Sequence, residues 1–320
     1  VGSGTTLDLT GDSDVSDNFA MGAASDQGGG GIYVDGGTLT VTGGAISDNA
    51  ASGASGSGGG VFVNGGSATL SGVSVQRNGA SRAGGGIESL GQTNVTLLTG
   101  TALTGNTTGS APGNGGGLHV SGPGFVTLGD VTVSNNRAQN EGGGLWNSGT
   151  GAMSVVRSTV SQNRAPRGGG LFQQAAPAPP QPSEATLKSG IPNGMSIRES
   201  LIYANNAGFG GGLYADFQVS VVNTTVAGNE ARFGGGVYSD EAFVSFDSAT
   251  TIVAENTANA SGPNLQGRYA SEDYNLLSTT PSAATFAPQA NDQLGADPLL
   301  EMLADNGGPT ETLALGAGSP

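Results

Sequence analysis

The sequence predicts an all-β chain, wound as a single-stranded right-handed parallel β-helix of about nine to ten coils. Three observations predict it. A glycine cluster that runs into an aliphatic residue recurs eight times. An asparagine marker recurs nine times, mostly about 23 to 31 residues apart. Between the markers lie short stretches that alternate apolar and polar, with no helical period.

The glycine clusters lead into Ile32, Val61, Ile87, Leu118, Leu145, Leu171, Leu213 and Val237. These eight aliphatics should stack as one inward column. Gly makes up 60 of the 320 residues, yet without a Gly-X-Y period, so collagen is excluded. Gly at a turn tolerates positive φ and lets backbones of adjacent coils approach closely.

The asparagine markers are Asn18, Asn49, Asn78, Asn106, Asn136, Asn163, Asn206, Asn229 and Asn256. Asn accepts left-handed backbone geometry. Stacked at one corner, such amides can form a ladder between coils. Ala follows two residues later in every copy except those at Asn106 and Asn206, and suits a tight inward corner.

One coil therefore reads as glycine cluster, strand, turn, second strand, bend, third strand, Asn, loop. A propeller blade needs about 40–45 residues, and a leucine-rich repeat needs a dense Leu consensus. Neither suits this chain. Residues 1–262 form the repeats, and 263–320 the atypical end coils with a cap or docking segment. A Pro-rich stretch over 173–194 breaks the period and reads as a surface loop.

Composition narrows function. The chain has no Cys, so disulfides and Cys-based metal sites are excluded. A net charge of −15 argues against a nucleic-acid partner. No apolar run is long enough to span a bilayer as a helix. The opening at Val1 and the ending at Pro320 read as a processed chain or a fragment.

The markers and the tail carry a resemblance. The repeats resemble the GGA-[ILV] and FxxN repeats of the chlamydial polymorphic outer-membrane proteins, with Gly and Ser, Ala or others in place of the family's Ala and Phe. The tail, with Asp297-Pro298-Leu299-Leu300, Leu303–Thr310 and Gly318-Ser319-Pro320, is similar to the ending of bacterial surface β-helix proteins grouped with CSLREA-domain proteins. It departs at Leu313, where that family often has His. The resemblance implies an extracellular or bacterial cell-surface protein with adhesive or structural roles, and no agreed enzyme chemistry.

A β-helix is also the scaffold of pectate lyases and polygalacturonases. The motifs such enzymes use (NTD, a DD pair, GHG, RIK) are missing. Arg157 and Arg198 lie near strand ends, read here as lacking acidic partners at coil spacing. His119, the only histidine, stands alone in an outward strand position. The expectation is a non-enzyme, with a polysaccharide-binding or polysaccharide-degrading β-helix as the alternative. Expected partners are other copies of the chain, other surface proteins or glycans. Copies could join by strand pairing at open ends.

Two site candidates remain. Asp12, Asp14 and Asp17 could offer alternating oxygen ligands to Ca²⁺, or simply form a solvated acidic turn. Directly after each glycine-cluster aliphatic stand Tyr33, Phe62, Glu88, His119, Trp146, Phe172, Tyr214 and Tyr238. Period-two alternation turns this position away from the core. The column is either a stacked aromatic ladder that stabilises the coils or an exposed stripe for a protein or a glycan.

Overall fold

The computed structural model describes residues 1–110, 112–175, 193–240, 246–282 and 284–320. They form a parallel β-solenoid of about nine turns, with no helix among the described residues. Most of the stretch over 173–194 lies outside the described residues. At its margins Gln173 ends the strand Leu171–Gln173, and Gly194 opens the strand Gly194–Arg198.

One coil illustrates the build. Leu118–Ser121, Phe125–Gly129 and Thr132–Ser134 are its three strands. Each pairs in parallel with its counterpart one coil on: Leu118 with Leu145, Val126 with Met153, Val133 with Val160. Inward positions Leu118, Val120, Val126, Leu128, Val131 and Val133 are all fully buried. Burying each such side chain is worth about 1.5–3 kcal/mol. The eight predicted aliphatics form one column of this core, and Leu265 extends it.

The first two strand positions join one 17-stranded sheet, because Val61–Ser71 and Ile87–Leu98 run through both. The third position builds an 11-stranded sheet. A short fourth segment follows each Asn. It begins as Phe19–Ala20, continues through single-residue bridges at Arg137 and Arg164, and ends as Asn206–Phe209, Glu230–Phe233 and Thr257–Ser261.

The three glycines of a cluster have different tasks. Gly142 has φ +61°, a left-handed conformation that other residues resist. A Cβ on Gly143 would strike the Gly169 carbonyl oxygen and lie 2.6 Å from the Arg164 nitrogen. A Cβ on Gly144 would lie 3.0 Å from the Asn163 side-chain amide.

Parallel pairing continues past residue 262, through Leu265–Ser271, Ala284–Ala287 and Gln293–Leu294. An antiparallel hairpin, Leu300–Ala304 with Thr312–Leu315, then returns along the third face. There Thr159 Oγ1 donates to the Glu311 carbonyl at 2.7 Å.

Candidate functional site

The asparagines form one continuous ladder. Nδ2 of each donates to Oδ1 of the next, from Asn18 through Asn49, Asn78, Asn106, Asn136 and Asn163, at 2.9–3.1 Å. The same Nδ2 also donates to a strand carbonyl of the preceding coil, as Asn136 does to Leu103. The next rung is Asn205, not the expected Asn206. The residue before each rung from Asn18 to Asn256 is left-handed, and before Asn205 that residue is Ala204, φ 53°. Asn206 instead stands half-buried in the strand that follows. The ladder resumes at Asn229 and Asn256 and ends on Asn264, which stands where a cluster's third Gly stands elsewhere. Asn264 was legible only as part of a degenerate glycine turn.

The column after the aliphatics points away from the main core, as alternation requires. It does not form an exposed stripe. Phe62, Glu88, His119, Trp146, Phe172 and Tyr214 are buried, and Tyr33 and Tyr238 are half-buried. The rings stack along the coils: His119 on Trp146 at 4.1 Å, Phe172 on Tyr214 at 4.9 Å, Tyr214 on Tyr238 at 4.9 Å. Trp146 and Phe172 are 6.3 Å apart and parallel.

Segments just before the glycine clusters cover this column. Ser57, Ala83, Asn114, Glu141, Arg167 and Phe209 bridge from coil to coil as a small ladder of their own. Glu141 accepts a hydrogen bond from Trp146 Nε1 at 3.0 Å and pairs with Arg167 at 2.6 Å. The Arg167 guanidinium lies 5.9 Å from the Phe172 ring centre. Phe209 meets Tyr238 edge-on at 5.6 Å.

Glu88 is the one acid in the column, and it is fully buried. It holds Arg82 at 3.0 Å, His119 Nδ1 at 2.9 Å and Ser121 Oγ at 2.5 Å. An ionised carboxylate only accepts, so His119 Nδ1 carries the hydrogen. Burial alone would raise the Glu88 pKa. The charge and hydrogen bond of His119, with Arg82 and Ser121, outweigh it and hold the carboxyl below its ordinary value. His119 is therefore a packed structural partner and not a lone outward residue.

Asp216 behaves oppositely. Burial, and then the neighbouring charge of Asp240, push its pKa up to about 6. Among exposed residues, Arg157 pairs with Asp130 one coil away at 2.7 Å, correcting the reading that it lacks an acidic partner at coil spacing. The Arg157 guanidinium holds Asp130 below its usual range.

Asp12, Asp14 and Asp17 do not converge. Among the described residues no group of three or more acidic or histidine side chains is placed to hold a metal. Asp14 opens the strand Asp14–Ser16 and Asp17 follows its end, so extended chain separates them by about 10 Å. No helix among the described residues is long and apolar enough to cross a membrane. No protein-family model, curated protein or solved structure matches the chain.

Proposed function

We propose that the chain is a structural or adhesive scaffold of the cell surface or extracellular matrix, able to associate with further copies into filaments or a surface layer. The observation that carries this reading is the continuous amide ladder from Asn18 to Asn264, buried from Asn49 onward. It ties each coil it spans to the next through side chains as well as backbone, and suits a stiff spacer. The side chains best equipped for chemistry support the same reading: Glu88, His119, Glu141 and Arg167 are engaged with one another or with the aromatic column. The likeness to chlamydial polymorphic outer-membrane repeats and to CSLREA-type endings points to the same setting and rests on the motifs alone.

Electron microscopy of native material tests the reading. Filaments or an ordered layer containing this chain support it. Dispersed monomers that release reducing ends from acidic polysaccharides would replace it with the polysaccharide-active alternative.

A further inference from the structure

The arginines of this acidic chain are mostly accounted for. Arg77 pairs with Asp48, Arg82 with Glu88, Arg157 with Asp130 and Arg167 with Glu141. Arg232 lies over the Phe233 ring, and Arg198 donates to Ser196. Arg268 is exposed, has no ion pair among the described residues and is in register with Thr285, whereas Arg137 and Arg164 stand side by side. They directly follow the rungs Asn136 and Asn163 and are bridged to each other across one coil step. Both are exposed, and neither forms an ion pair among the described residues.

The two arginines line one cleft of about 300 Å³. Ala138 and Ala165, both turned inward and buried, leave the corner without bulk. Gln139 and Asn206 add polar amides to its wall. Strand spacing sets the two arginine backbones about 4.8 Å apart. Side chains rooted this close together can bring both guanidiniums to one anion. The next acid in this column, Glu230, is two coils beyond Arg164 by way of Asn206. At physiological salt the screening length is about 8 Å, so the chain's overall negative charge is largely hidden from the cleft. Guanidinium forks bind planar and tetrahedral oxyanions in bidentate fashion. A cavity of this size takes a small ligand, such as a sugar unit bearing an anionic group.

We propose that the Arg137–Arg164 cleft binds the sulfate or carboxylate group of an acidic polysaccharide, with the guanidiniums on the oxyanion and the Gln139 and Asn206 amides on neighbouring hydroxyls. The site gives the adhesive reading above a ligand class and rests on that reading for its role. Its test does not depend on assembly.

The test is calorimetric titration of the intact chain with inorganic sulfate, with a short heparin-derived oligosaccharide, with an oligogalacturonate and with a neutral oligosaccharide of equal length. The expected result is salt-sensitive binding of at least one acidic oligosaccharide and none of the neutral one. Affinity should fall about tenfold or more in Arg137→Ser/Arg164→Ser, and in part in the Lys pair, which keeps charge but not the fork. Binding of inorganic sulfate alone, lost in the same variant, would overturn the polysaccharide assignment and leave a free-anion site. Absence of binding, or binding equal in wild type and the Ser variant, overturns the site itself. Unchanged β circular dichroism shows that the variant is folded. Filaments that persist in the variant separate failure of this site from failure of the scaffold reading.

Discussion

Asn163 donates from Nδ2 to Oδ1 of Asn205 at 3.0 Å, although the two stand 42 residues apart in the chain. The contact repeats the geometry of rungs only 27 residues apart, such as Asn136 and Asn163. The Asn205 side chain also donates to the Val160 carbonyl and to Asn229. Asn205→Ala should therefore strand several buried polar groups and cost about 3 kcal/mol or more. Asn206→Ala, one position on, should stay within about 0.5 kcal/mol. Urea denaturation of the two variants side by side checks this.

Gly143→Ala should be among the worst substitutions in the chain, because the added methyl meets backbone of both Gly169 and Arg164. Gly129→Ala should be neutral or stabilising by a few tenths of a kcal/mol, since nothing lies within 4 Å and its φ is ordinary. Thermal melts of the pair give the comparison.

Trp146 is the only tryptophan and only 4% exposed. Its emission should be blue-shifted and poorly quenched by acrylamide in the native chain, and both properties should vanish on unfolding. A stripe open to solvent would instead be quenched freely. Trp146→Ala should cost about 3–5 kcal/mol through lost stacking and a deserted Glu141.

Glu88 has a depressed pKa, so its contribution is present above the ordinary glutamate range and is lost as pH falls through its lower folded value. Glu88→Gln should cost about 3–5 kcal/mol at neutral pH. The gap to wild type should narrow once acid protonates the native carboxyl. Denaturation curves at neutral pH and in acid measure the two differences.

Asp216 carries the opposite sign. The folded state binds its proton more tightly than the unfolded chain, so its ionisation lowers stability as pH climbs from the usual aspartate range to about 6. Asp216→Asn should raise the melting temperature above pH 6 and bring little gain in acid. A series of melts across that range decides it.

Most of the frame was legible from local sequence. Positions Ile32 to Val237 reported the inward column because period-two alternation ties side-chain direction to neighbouring residues. The same rule turned Phe62 and Trp146 away from that core. It could not say that Glu141 and Arg167, drawn from the loop before the glycines, fold over them. That layer depends on contacts between coils, which no single repeat displays. The slip from Asn205 to Asn206 had a local signal. Ala207 follows Asn205 by two, as Ala follows most other rungs. The pairing of Arg157 with Asp130 needed the register of adjacent coils.

The distance between Asn163 and Asn205 has a further consequence. Pitch is set at the rung, whereas the amount of chain spent between rungs is free. Asn163 and Asn205 are 42 residues apart in the chain against 27 for Asn136 and Asn163 and 24 for Asn205 and Asn229, yet all three contacts measure 3.0 Å. Chain length between two rungs can therefore change without changing the step from one coil to the next.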